Sequence, residues 1–119
     1  MFEAVLDRAA RACAGVRAVV LVGMDGVPVA ASGPSGGQAG DVVAVTYADL
    51  ARRAARASAD AEHGGVEEMA LCCDDARVLF RAVTPEYALL AVLDPGTGLG
   101  RARYELLKAA LDLRPELER

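Results

Sequence analysis

The segment from Asp41 to His63 most constrains the fold, because it is a long helical pattern with apolar residues on two sides. One stripe, with spacings of three or four residues, is predicted to face the core of the chain: Val43, Tyr47, Leu50, Ala54, Ala57 and Ala61. A second stripe beside it is built from alanine: Ala44, Ala48, Ala51, Ala55 and Ala59. Because a smooth alanine face suits close helix packing and a short chain offers few other helices, we expect this stripe to meet a partner subunit.

The size and composition of the chain predict one globular domain over residues 1–119. Hydrophobic residues make up 54% of the sequence and charged residues 25%, which is typical of a chain with a packed core. The net charge is −4, aromatic residues are 4% of the chain and there is no Trp, so nucleic acid is not expected as a partner. The apolar runs are shorter than the ~20 residues of a membrane helix, and the first residues lack the positive charges of a signal peptide.

The three cysteines, Cys13, Cys72 and Cys73, do not form a disulfide framework. Cys72 and Cys73 are neighbours in a predicted strand, so their side chains point to opposite faces and cannot easily bridge each other. Reduced thiols of this kind are typical of a cytoplasmic protein.

Alternating helical and strand patterns predict the order α-β-β-α-β-β-β-α. The predicted helices cover Phe2–Ala14, Asp41–His63 with Asp41 as its N-cap, and about Gly98–Leu113; the strands cover Val16–Gly23, Val27–Ser32, Val66–Asp74, Arg77–Thr84 and Tyr87–Leu93. Most strand connections have hairpin length, which predicts a mainly antiparallel five-stranded sheet. Because two strands are apolar on both faces, the fold class is α/β (α+β), a three-layer α/β/α sandwich with the terminal helices on one face and the middle helix on the other.

Four stretches of the sequence together resemble the Roadblock family, which includes dynein light chains of Roadblock type and bacterial co-regulators of small GTPases. They are Gly15–Val22 running into Asp25–Ala30, Asp41 opening the alanine-rich helix, the apolar strand ending at Leu93, and Leu99-Gly100-Arg101-Ala102-Arg103 opening the last helix. The resemblance implies a profilin-like domain that dimerises by pairing the edge strand with Met69, Leu71 and Cys73 and by packing the two middle helices together. It also implies a Ras-like small GTPase as a partner, docked on those helices.

The middle helix also carries a charged strip, formed by Asp49, Arg52, Arg53, Arg56 and Asp60. This strip is either a solvated face with ion pairs three or four residues apart, or a docking surface for the GTPase.

The remaining candidate motifs predict structure rather than chemistry. The loop Gly33–Gly40 lacks the Lys-Ser/Thr pair of a phosphate-binding loop and is interpreted as a connector. Asp25-Gly26 and Asp74-Asp75 are interpreted as turns, and His63 has no metal-ligand partners at suitable spacing. We therefore expect no enzyme activity, metal or cofactor, and predict a homodimeric adaptor of a Ras-like GTPase. The alternatives are a small-molecule-binding sensor domain or a purely structural assembly subunit.

Overall fold

The computed structural model describes residues 2–35 and 38–118. It confirms the predicted order of three helices and five strands. The elements are α1 (Phe2–Ala12), β1 (Val16–Gly23), β2 (Pro28–Ser32), α2 (Gln38–Asp60), β3 (Glu68–Cys72), β4 (Arg77–Ala82), β5 (Tyr87–Leu93) and α3 (Leu99–Leu117).

The strands form one five-stranded sheet in the order β2-β1-β5-β4-β3, and every neighbouring pair is antiparallel. The central strands β1 and β5 are buried along almost their whole length, as their continuous apolar sequences predict. The edge strand β2 begins with Pro28, and its pairing with β1 shifts register between Leu21 and Val22. The other edge is β3, which pairs only with β4.

Two hydrophobic clusters lie on opposite faces of the sheet and confirm the three-layer sandwich. On one face, α1 and α3 pack against the strands through residues that include Leu6, Leu106 and Leu113. On the other face, α2 packs against strand residues that include Val20 and Leu90. The alternation of β-strand side chains sends successive strand residues into the two clusters.

The orientation of α2 differs from the sequence prediction, although Val43 and Tyr47 of the stripe predicted to face the core do pack against the sheet. Ala44, Ala48 and Ala51 are 0%, 2% and 3% exposed and pack on the sheet, so the expectation that these alanines meet a partner is wrong. The stripe predicted to face the core is only partly covered, since Leu50 and Ala57 are exposed.

The reason for this difference lies in the strands rather than in the helix. Val20, Val22, Phe80 and Leu90 project from the sheet into the layer beneath α2 and fill much of its volume. Small side chains on the facing surface of the helix complete this layer at native packing density, whereas large ones would overpack it.

The ends of α2 also differ from the prediction. Asp41 is not the N-cap, because the helix begins at Gln38 and Asp41 lies exposed in its first turn. Gly36 and Gly37, which belong to the predicted loop, lie outside the described residues. At the other end α2 stops at Asp60, and the chain turns away at Gly64, which has a φ of +84° that favours glycine. The Ser58 hydroxyl donates a hydrogen bond to the Gly64 carbonyl oxygen at 2.7 Å.

Candidate functional site

The surface of α2 that faces away from the sheet exposes large apolar side chains. Val42 is 67% exposed, Val45 is 58% exposed and Leu50 is also exposed. Exposed valines on one helix leave apolar area in water that a partner protein could cover. Neither Val42 nor Val45 belongs to the two stripes read from the sequence, although their spacing of three residues places them near each other on the helix.

The charged strip of α2 lies on the same outer surface. The Asp49 carboxylate forms ion pairs with Arg52, at 3.4 Å between Oδ1 and Nη2, and with Arg53, at 3.2 Å between Oδ2 and Nε. Arg52 also donates a hydrogen bond from Nη1 to the Met24 carbonyl oxygen, so this side chain ties α2 to the chain after β1. Arg53, Arg56 and Asp60 are exposed. The structure therefore gives Arg52 a structural contact and leaves the rest of the strip open to solvent.

The free edge of β3 presents unpaired backbone groups. Cys73 donates its N–H to the Ala76 carbonyl oxygen, and the Glu67 carbonyl oxygen accepts from the Ala82 N–H, both across the pair of β3 and β4. Because hydrogen-bonding direction alternates along an antiparallel strand, odd-numbered residues of β3 face β4 and even-numbered residues face outward. The outward N–H and C=O groups are those of Glu68, Ala70 and Cys72.

The predicted edge-strand residues have different positions. Met69 and Leu71 are half-buried and lie on the α2 face of the sheet, whereas Ala70 lies on the face of α1 and α3. Cys73 is exposed just beyond the end of β3. The structure thus brings Met69, Leu71 and Cys73 together along one side of the molecule, apart from the buried alanines of α2.

A groove of about 550 Å³ lies between the second half of α2, the segment just before β3, and the end of β4 with the turn that follows it. Its apolar lining includes Ala51, Ala55, Val66 and Phe80. The charged side chains of Glu67, Arg81 and Arg114 also line it. A small-molecule site needs a few convergent polar anchors. The most buried polar side chain here is Thr84, whose Oγ1 accepts the Tyr87 N–H at 3.1 Å and therefore serves the turn before β5.

In the described part of the chain, no group of three or more His, Cys, Asp or Glu side chains converges as metal ligands would. Burial raises the pKa of the Cys13 thiol. Cys13, Cys72 and Cys73 are free thiols. Across residues 2–35 and 38–118, no helix is long and apolar enough to cross a membrane.

The fold and this surface define a small α+β domain with a free sheet edge at β3 and an exposed outer surface on α2. The chain belongs to the Roadblock/LC7 family, because the family model of the Roadblock/LC7 domain matches residues 1–94. This confirms the resemblance found in the sequence. No curated protein sequence matches the chain.

Solved structures of low sequence identity have the same fold. A Roadblock/LC7 domain from Streptomyces avermitilis has a TM-score of 0.90 at 15% identity, with 98% of each chain covered. MglB from Myxococcus xanthus has a TM-score of 0.88 at 19% identity, covering 98% of this chain and 94% of that one. A structure described as MglB with a tetrameric arrangement has a TM-score of 0.85 at 18% identity, covering 97% and 86%.

Proposed function

We propose that the chain is a non-catalytic, homodimeric adaptor that binds a Ras-like small GTPase and modulates its nucleotide cycle or its localisation. The observation that carries this proposal is the free edge of β3 on the same molecule as the exposed outer surface of α2. Membership of the Roadblock/LC7 family, whose relatives include co-regulators of small GTPases, supports the GTPase as partner. Three free cysteines support a cytoplasmic setting.

A second copy of the chain can pair its own β3 with this free edge, and one register lets the two strands overlap along their whole length. Because Glu68, Ala70 and Cys72 direct their backbone groups outward, an antiparallel twofold pair would place Ala70 opposite Ala70 of the partner subunit. Met69 would then lie opposite Leu71 of the partner subunit, and these half-buried side chains would cover each other. The two sheets would become one sheet of ten strands, as the family resemblance implies.

The proposed dimer interface contains only some of the residues that the sequence predicted for it. Met69, Leu71 and Cys73 stay in it, and Ala55 and Ala59 stay candidates because they are not fully buried. Ala44, Ala48 and Ala51 are not part of the proposed interface, because the chain's own sheet already covers them.

The GTPase is proposed to contact the outer surface of α2. Val42 and Val45 supply exposed apolar area, and Arg53, Arg56 and Asp60 supply exposed charges around it. Asp49 holds Arg53 through their ion pair, which limits the side-chain freedom lost on binding. Arg52 contributes indirectly, since its contact with Met24 fixes the helix to the turn between β1 and β2.

An Ala70→Pro variant tests the dimer. Proline removes an N–H that points away from β4, so the monomer should fold while the pair with a second β3 loses central hydrogen bonds. Sedimentation of the wild type at tens of micromolar should show a dimer, and Ala70→Pro should sediment as a folded monomer. Leu71→Pro is the matched control, because it removes a hydrogen bond to β4 and should destabilise the monomer itself. A monomeric wild type, or a dimeric Ala70→Pro variant, would contradict the proposal.

Charge reversal on α2 tests the GTPase surface. A small GTPase encoded beside the gene is loaded with GDP or a GTP analogue and captured on the immobilised chain. The double variant Arg53→Glu with Arg56→Glu should reduce capture at least tenfold, whereas Arg11→Glu on the opposite side of the sheet should not change it. Equal absence of capture for both nucleotide forms would leave a structural assembly subunit as the function.

A further inference from the structure

Arg81 of β4 is a half-buried cation that has no partner within the described chain. It forms neither an ion pair nor a side-chain hydrogen bond among residues 2–35 and 38–118. The acid directly across the strand pair, Glu68, is instead bound to Arg103 of α3, with 3.2 Å between Oε1 and Nε. Partial burial weakens the hydration of a guanidinium group, so an unpaired arginine at such a position gains from an added carboxylate.

Arg81 lies at a narrow notch between β4 and α3. The notch holds about 70 Å³, and its apolar lining is Ala82, Val83, Leu107, Ala110 and Leu111. This volume is about that of two water molecules, so the notch accepts one side chain rather than a small molecule. The two charged residues that line the notch are both arginines, Arg81 and Arg114.

An apolar stripe on the outer surface of α3 extends from the notch, with which it shares Leu107 and Leu111. Tyr104, Leu107 and Leu111 follow each other at spacings of three and four residues, and Leu111 is 60% exposed. Arg103 and Arg114 flank this stripe on one side and Lys108 flanks it on the other. Each of these cations is paired with an acid of the chain, namely Glu68, Glu118 and Glu105 in that order. Among the described residues that flank the stripe or line the notch, Arg81 is therefore the cation without an acidic partner.

The charge pattern does not favour a second copy on this stripe. The acids that a second α3 would bring, Glu105, Asp112 and Glu118, are each already paired with a cation of their own chain. A second copy therefore offers Arg81 no carboxylate at these positions that is free of an ion pair. A concave notch with a half-buried arginine is also a poor match for a flat lipid surface, which Arg81 could not reach.

We propose that the notch and stripe of α3 dock an acidic amphipathic helical segment of a partner protein. One of its carboxylates pairs with Arg81, and its apolar side chains cover Leu107 and Leu111. This surface lies on the opposite face of the sheet from α2, so it stands independently of the GTPase proposal. A chain with both surfaces could hold two different proteins at once.

A photocrosslinking amino acid at Leu111 of the full chain, expressed in the native cells, tests the proposal. The same group at Val29 on β2 is the matched control, since Val29 is exposed at the other edge of the sheet. We expect the Leu111 probe to cross-link to a protein segment, identified by mass spectrometry, in which Asp and Glu outnumber Lys and Arg and apolar residues recur every three or four positions.

A synthetic peptide of the identified segment is then titrated against the purified chain. Arg81→Gln should weaken its binding about tenfold or more, and Arg81→Lys should weaken it less, while circular dichroism verifies that both variants are folded. The proposal is overturned if Leu111 gives the same products as Val29, or links to lipid, to a second copy or to a basic segment. Unchanged peptide affinity in Arg81→Gln overturns it as well.

Discussion

Replacing Ala48 with glutamate tests the orientation of α2 directly. Ala48 is 2% exposed and packs on the sheet, so the new carboxylate would be buried among apolar side chains without a partner. Leaving an uncompensated charge in a protein interior costs about 3–5 kcal/mol. A domain has about 5–15 kcal/mol of stability in total, so this loss is a large fraction of it. At about 4 °C per kcal/mol, the melting temperature should fall by about 12–20 °C.

Two control variants separate charge from other effects. Ala48→Gln places a neutral side chain of similar shape at the same position, and Ala57→Glu places the same charge on an exposed part of α2. Ala57→Glu should change stability by less than about 0.5 kcal/mol. Urea unfolding of the four proteins, followed by circular dichroism, gives the free energies that the comparison needs.

The pH dependence gives an independent readout. Burial raises the pKa of a carboxyl group in the folded state above its unfolded value of about 4.3. The stability of Ala48→Glu is therefore highest below the unfolded pKa, and it is lost as the pH rises from about 4.3 towards the raised folded pKa. The stability gap between Ala48→Glu and Ala48→Gln should widen from pH 5 to pH 8. Equal stability of Ala48→Glu and Ala57→Glu, or a gap that does not change with pH, would refute the orientation of α2.

Two further predictions concern backbone strain and thiol reactivity. Gly33 and Gly96 both have positive φ, but of the two only Gly33 has backbone atoms where a Cβ would be, 2.7 Å from the Arg17 carbonyl oxygen. Gly33→Ala should therefore destabilise the chain by at least about 1 kcal/mol more than Gly96→Ala in thermal unfolding. Equal losses of stability would contradict this. Cys72 and Cys73 are exposed in the single chain, whereas the buried Cys13 thiol has a raised pKa and so holds less thiolate. The monomeric Ala70→Pro variant should therefore show two fast equivalents and one slow equivalent with Ellman's reagent at pH 8, and three equal rates would contradict this.

Much of the fold could be predicted from the sequence, because periodicity and turn chemistry act locally. The apolar runs of β1 and β5 identified the central strands, and the proline at the start of β2 identified an edge. The inward face of α3, with Leu106 and Leu113 among its members, follows the pattern of three and four residues.

The orientation of α2 could not be predicted in the same way. A helical pattern shows which residues share a side, but the side that faces the sheet depends on how much volume the strands already fill. Val22, Phe80 and Leu90 come from three separate strands, so the space beneath Ala48 is set by residues far away in the sequence. Arg81 was missed for a similar reason, because its lack of a partner results from Glu68 binding Arg103 instead.

The two edge strands of the sheet differ in how readily they can pair with a further strand. At β2, Pro28 has no backbone N–H to donate, and the register shift against β1 bends the strand, so the addition of a further strand there is disfavoured. In the proposed dimer both β3 edges are paired, so the two edges that remain are those of β2. A further strand is disfavoured there, and the proline of β2 therefore acts against the growth of such a dimer into a fibril.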